Sequence, residues 1–219
     1  SVGMVKKMQF DKEKYKGVIF DLDGTLIDSM YVWRKVVASI YEKNGIEADV
    51  DADMKRYHAM KVSEVFAYIH EHWHTAMTIE QMNGLADSIL EDEYTNIIPA
   101  LDGAVEFVQW CVKNGVRCAV VTSSPMQLVR PVLERLGLYQ DMDAIESAED
   151  LHLSKHDPQI FERALQAMNT NVRDTLFFED SRYALETADR MGMDAVGMKT
   201  KSEPYDDRVS IWNFSELAY

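Results

Sequence analysis

The chain has 219 residues, 47% of them hydrophobic and 27% charged. This is the composition of an ordinary globular protein, long enough to bury a core without staples. With 37 Asp and Glu against 23 Lys and Arg, the formal net charge is −14, which argues against a nucleic-acid backbone or an anionic membrane as the main partner, since both require clustered cations.

Ser1-Val2-Gly3 ahead of Met4 reads as an expression remnant, and no apolar signal region lies between Ser1 and Lys14, so secretion is not expected. The first predicted strand, Gly17–Phe20, is apolar throughout and runs into Asp21-Leu22-Asp23-Gly24-Thr25. Two carboxylates one residue apart at a strand end, followed by a turn-forming glycine, can project into one crevice. One can act as a nucleophile toward phosphorus, while the other donates a proton to a leaving oxygen and later takes one from water. The plain alternative is an Asp-Gly turn.

From Tyr31 to Ile98 no strand pattern is evident. Val62, Val65, Phe66, Ile69 and Trp73 follow helical spacing, and Thr78-Ile79-Glu80-Gln81 fits a capping box ahead of another helix. A helical insertion directly after the first strand is expected to sit over the carboxyl ends of the strands, the edge where open α/β sheets bind ligands. His70 and His74 share a helical face beside Glu71, but too few ligands accompany them for a structural zinc site. Met54, Met60, Met77 and Met82 read as pliable packing, or more sharply as a substrate-adapting apolar lining.

Beyond residue 98, strand and helix alternate. Further strands are expected at Val116–Thr122, Asp143–Ile145, Thr175–Phe178 and Asp194–Met198. They are mostly unbroken apolar runs, as suits strands covered on both faces. The intervening helices carry Val105, Val108 and Val112 after a cap at Asp102, then Leu128, Val129, Val132, Leu133 and Leu136. The next carries Phe161, Ala164, Leu165 and Met168 after Asp157-Pro158, and the last Ala184, Leu185, Ala188 and Met191. The pattern predicts an α/β fold with a doubly wound parallel sheet, formed by residues 1–30 and 99–219, and a helical domain at 31–98. Cys111 and Cys118 read as buried structural thiols and suit a reducing cytoplasm.

Two of these strand ends and the loop ahead of one helix carry polar chemistry. Thr122 and Ser123 can hold phosphate oxygens, or Ser123 and Ser124 can cap the next helix. Glu179 and Asp180 would repel one another without a cation, and their hard oxygens suit Mg²⁺; capping by Asp180 or Ser181 is the plainer alternative. Lys155, ahead of Asp157-Pro158, can balance a phosphoryl group, although a lone loop lysine is ordinarily solvated.

Together, Asp21-Leu22-Asp23-Gly24-Thr25, Thr122-Ser123, Lys155 and Glu179-Asp180 resemble the four motifs of the haloacid dehalogenase superfamily, in order and over nearly the whole chain. The insertion resembles the small helical cap of its phosphoglycolate-phosphatase-like and β-phosphoglucomutase-like subgroup. The resemblance implies Asp21 as nucleophile and Asp23 as general acid/base. It implies Mg²⁺ held by the Asp21 carboxylate, the Asp23 carbonyl and Asp180, with Glu179 as ligand or support, and a phosphoryl group held by Thr122, Ser123 and Lys155. It also implies a cap that closes to exclude water.

Lys155-His156-Asp157-Pro158 lacks the first proline of the common Lys-Pro-x-Pro form, which loosens that loop. The presence of Asp23 argues against halide or phosphonate cleavage. Hydrolysis of a small phosphorylated metabolite is favoured over sugar-phosphate mutase chemistry, because Pro125-Met126 replaces the polar groups a second phosphate would use. A non-catalytic binding protein is the remaining alternative. Arg34, Lys55, Arg56, Lys61, Arg130 and Arg182 are candidates for a second anion site, with solvated surface as the plainer reading. Substrate identity resides in side chains of the insertion, and nothing in the sequence specifies an oligomeric state.

Overall fold

The computed structural model describes residues 7–219; Ser1-Val2-Gly3 and the first residues of the segment read for a signal lie outside them. Strands β1 (Met8–Gln9) and β2 (Gly17–Phe20) precede helices α1 (Val32–Lys43), α2 (Val50–Tyr57), α3 (Val62–Trp73) and α4 (Ile79–Asp92), the last continuing into a π-helical turn at Glu93–Ile97. There follow α5 (Ala104–Lys113), β3 (Arg117–Thr122), α6 (Met126–Arg135), β4 (Ala144–Ser147), α7 (Ala148–Leu151) and α8 (Pro158–Met168). The chain ends with β5 (Thr175–Glu179), α9 (Arg182–Met191), β6 (Asp194–Met198), β7 (Ser210–Ile211) and β8 (Leu217–Ala218). It divides into two compact units, one comprising the chain up to Ser29 with Ile98–Tyr219, the other Met30–Ile97.

The first unit is built on a six-stranded parallel sheet in the order β4-β3-β2-β5-β6-β7, while β1 pairs separately with β8. Alternate strand residues face opposite sides. Ile19, Ala119, Val121 and Phe177 pack on one side with Phe161 and Ala164 of α8 and Ala184 and Ala188 of α9. On the other side Phe20 stacks on Phe178 at 5.7 Å, and both meet Phe107 of α5 and Phe214. Burial on both faces explains why these strands read as continuous apolar runs rather than alternating ones.

The sequence reading of α5 needs correction. Its buried face is Ala104, Phe107, Val108 and Cys111, while Val112 is exposed, because Phe107 and Cys111 lie on the stripe that meets the sheet. Nor does Asp102 cap it: the N-cap is Gly103, and the Asp102 carbonyl accepts from the Phe214 amide. β4 begins at Ala144 rather than Asp143, whose carboxylate instead accepts from the Cys118 amide and Arg117. Short strands β1, β7 and β8 carry too few residues to show periodicity.

In the second unit Val36, Ile40, Tyr41, Phe66, Ile69 and Met82 form the core. The capping box at α4 is present: Thr78 Oγ1 accepts from the Gln81 amide and Gln81 Oε1 from the Thr78 amide. Met82 is fully buried, whereas Met54 and Met60 line a cavity of about 220 Å³ with Trp33, Tyr57, His58 and Phe66. His74 caps α3 with φ +50, and His70 Nδ1 bonds Thr75 Oγ1, so the two histidines do not share one helical face. No helix among the described residues is long and apolar enough to cross a membrane.

Candidate active site

The site forms at the carboxyl ends of β3, β2 and β5, three neighbouring strands. The register pairs Phe20 with Phe178, and the Asp21 amide continues the ladder to the Phe178 carbonyl at 2.9 Å, which brings Asp21 alongside Glu179. The chain then turns at Gly24, where φ is +81, a conformation that glycine adopts without a Cβ penalty. The Leu22 carbonyl accepts from the amides of Thr25, Leu26 and Ile27. This tight loop keeps both acids of the segment on the sheet edge.

Asp21, only 4% exposed, accepts from Lys155 Nζ at 2.6 Å on Oδ1 and from Thr25 Oγ1 at 3.3 Å on Oδ2. Lys155 Nζ also donates to Glu179 Oε2 at 2.9 Å, and the other Glu179 oxygen accepts from the Ser181 amide at 3.1 Å. Asp21, Glu179 and Asp180 each offer a carboxylate oxygen, all within 4.8 Å of one another.

The plainer alternative of a solvated loop lysine does not hold for Lys155. Lys155 is 2% exposed because two buried carboxylates compensate its charge. The absent proline does not free its loop, since the Asp157 and His156 amides both close on Ser154. His156 is exposed and stacks on Tyr183.

Three acids face one ammonium, and their protonation reflects it. Burial pushes the Asp21 carboxyl up, but the Lys155 charge and hydrogen bonds from its neighbours outweigh burial and hold it below the ordinary range. Burial would lower Lys155, yet Asp21 and Glu179 keep it firmly charged. Burial, then the Asp21 charge, pushes Glu179 up to about 8 and Asp180 up to about 11. Three clustered carboxyls, two of them holding their protons for want of a compensating cation, offer the hard-oxygen donors that suit Mg²⁺. The capping alternative fails for this loop, since Ser181 precedes α9 without a side-chain cap.

Asp23 is anchored by two hydroxyls. Ser29 Oγ donates to one of its oxygens and Ser124 Oγ to the other, both at 2.7 Å. Thr122 is buried and its Oγ1 accepts from the Ser124 amide, while Ser123 is exposed. Capping by Ser123 or Ser124 is not seen; Asp150 instead accepts from the Met126 amide.

Thr25, Ser29 and Ser124 are thus supporting groups that the sequence reading did not assign. Their signal was weak, because a hydroxyl in a turn-rich motif reads first as a local cap. Several anion-site candidates are neutralised by acids: Arg34 by Asp51, Arg56 by Asp53, Arg130 by Glu134, and Arg182 by Glu203 and Asp207.

The arrangement provides an ionised, oriented carboxylate, a second carboxylate two residues on, a fixed ammonium and a hard-cation donor set. That combination can carry displacement at phosphorus with compensation of the developing charge.

Residues 18–198 match the family described as haloacid dehalogenase-like hydrolase. The chain is 29% identical over 189 residues to validoxylamine A 7'-phosphate phosphatase of Streptomyces hygroscopicus subsp. limoneus, spanning 85% of this chain and 86% of the relative. It is 28% identical over 197 residues to fructose-1-phosphate phosphatase of Escherichia coli (strain K12), spanning 85% and 98%. Among solved structures, CbbY from Rhodobacter sphaeroides in complex with phosphate shares the fold at TM-score 0.70 and 17% identity, over 93% of this chain and 99% of that one.

Proposed function

The chain belongs to the haloacid dehalogenase-like hydrolases and is a phosphohydrolase of that superfamily, and on that premise we propose that it is a Mg²⁺-dependent phosphatase that hydrolyses a small phosphomonoester through a phosphorylated Asp21. The observation that carries the proposal is the buried, ionised Asp21, tied to Lys155 at 2.6 Å and grouped with Glu179 and Asp180.

In the first step an Asp21 oxygen attacks phosphorus and the bond to the ester oxygen breaks, with Asp23 donating the proton that the departing alkoxide needs. In the second, Asp23 takes a proton from water, whose oxygen attacks phosphorus and releases inorganic phosphate from Asp21. Lys155 and the Thr122–Ser123 segment hold the phosphoryl oxygens, and Thr25 and Lys155 orient Asp21. The Asp21 and Asp180 carboxylates and the Asp23 carbonyl would hold Mg²⁺, with Glu179 fixing Lys155 beside them. When bound, the ion supplies positive charge opposite the phosphoryl oxygens.

Hydrolysis is preferred over phosphate migration within a sugar because a mutase needs a second anion site. Of the candidates for one, Arg34, Arg56, Arg130 and Arg182 are paired with acids, and Ser124 is engaged with Asp23. Relatives named for fructose 1-phosphate and validoxylamine A 7'-phosphate make small sugar and polyol phosphates the first class to screen. The cytoplasm is the proposed compartment, supported by the free, buried thiols of Cys111 and Cys118.

The test uses p-nitrophenyl phosphate, whose leaving group needs no proton. With Mg²⁺, Asp23→Ala is expected to form the phosphorylated protein and then stall, gaining the mass of one phosphoryl group that hydroxylamine removes. Asp21→Asn is expected to show neither adduct nor turnover. Full turnover by Asp21→Asn would overturn the mechanism.

A further inference from the structure

We infer that Tyr205 is a positioning residue for Asp180, acting through the backbone of the loop that presents this acid; the inference rests on the reading of Asp180 as a metal ligand. The Tyr205 hydroxyl donates to the Asp180 carbonyl. Its side chain is 1% exposed, and its backbone is in the left-handed region at φ +52, which a residue with a bulky side chain adopts only when its surroundings hold it there.

Three features hold it. Gly197 of β6 lies directly beneath the ring: a Cβ there would stand 2.9 Å from two ring atoms. Ser210 Oγ donates to the Tyr205 carbonyl at 3.0 Å. Arg182, two residues after Asp180, reaches across to the same segment. It bonds Glu203 at 2.7 and 3.2 Å and Asp207 at 2.8 and 3.2 Å, with its guanidinium 5.0 Å from the Tyr205 ring centre.

The segment between β6 and β7 is therefore bolted to the loop after β5 at two points, the Asp180 carbonyl and the Arg182 side chain. A peptide held by its carbonyl cannot rotate freely, and its rotation would swing the Asp180 Cα–Cβ bond. The tyrosine thereby fixes the direction in which the carboxylate enters the cluster with Asp21. Partners that orient a metal ligand without touching the metal change metal affinity by about 10- to 100-fold when removed.

The experiment measures direct Mn²⁺ binding to the purified full chain by the loss of the free-ion electron paramagnetic resonance signal. Thermal unfolding is recorded for each variant without metal. Tyr205→Phe keeps the ring and removes only the hydroxyl; its Kd for Mn²⁺ is expected to rise about tenfold. Arg182→Gln, which releases Glu203 and Asp207 but keeps the hydroxyl, is expected to raise Kd less than Tyr205→Phe does.

Asp180→Asn serves as the reference for loss of the ligand itself. Wild-type affinity in a folded Tyr205→Phe, with affinity lost in Asp180→Asn, overturns the role of Tyr205 alone. Wild-type affinity in Asp180→Asn overturns the metal reading and this inference with it. If Tyr205→Phe fails to fold, equal Mn²⁺ affinity in Arg182→Gln and the wild type overturns the two-point attachment on which the inference stands.

Discussion

Lys155 joins two carboxylates from different strands, Asp21 after β2 and Glu179 at the end of β5. A buried ammonium survives only where such partners replace water, and here they do so within hydrogen-bond distance. One ammonium faces three acids, and Glu179 and Asp180 are held above the ordinary carboxylate range, so the lysine keeps Asp21 ionised without doing the same for the other two. At the opposite extreme is Tyr15, whose hydroxyl donates to Asp194 at 2.7 Å on the surface. That hydrogen bond, aided by Lys14 and opposed by burial, holds Asp194 below the ordinary carboxylate range. A depressed folded value stabilises the protein above the unfolded pKa of about 4, and the contribution disappears as pH falls through the folded value. Tyr15→Phe is therefore expected to cost about 0.5–1 kcal/mol at pH 7, shrinking toward zero near pH 2. Urea titrations at neutral and acid pH check this, and a difference that widens on acidification would count against it.

Elements here end where backbone geometry permits. Gly103 is the N-cap of α5, with φ +77, and an added Cβ there would lie 2.8 Å from the backbone of Phe214 and Ser215. Gly115, just after the same helix, also has positive φ, +73, yet a Cβ there would meet nothing within 4 Å. The pair separates conformational cost from steric cost. Gly115→Ala is expected to lose about 1 kcal/mol, the cost of the left-handed conformation alone, whereas Gly103→Ala adds a backbone clash and should lose about 2 kcal/mol more. Thermal unfolding of the two variants decides it, and equal losses would show that the C-terminal segment yields. The face of α5 carries a related lesson. Valines at 105, 108 and 112 satisfy helical spacing, but so do 104, 107, 108 and 111, and only the aromatic cluster around Phe20, Phe178 and Phe214 selects the second stripe.

Across the whole molecule, acids at 21, 179 and 180 converge although more than 150 positions separate the first from the others. A cation that binds this cluster binds only the folded chain, so it shifts the unfolding equilibrium by mass action. Mg²⁺ at 100 times its dissociation constant is expected to add about 2.7 kcal/mol of stability, seen as a higher thermal midpoint that EDTA reverses. An unchanged midpoint across a wide Mg²⁺ range would remove the ion from the proposed chemistry. The parallel α/β class was legible from residues 17–20, 116–122, 175–178 and 194–198, because strands buried on both faces leave mostly unbroken apolar runs. Asp21, Asp23, Glu179 and Asp180 could be singled out because each stands just past such a run, and Lys155 because it stands just ahead of a recognisable helix start. What the chain order could not express was who holds whom. That Ser124 restrains Asp23, that Lys155 is buried between two acids, and that Tyr205 reaches the Asp180 carbonyl are consequences of strand neighbours and loop contacts far apart in sequence. Local composition carries propensity and burial pattern, whereas pairwise distances between remote side chains exist only once the sheet has assembled.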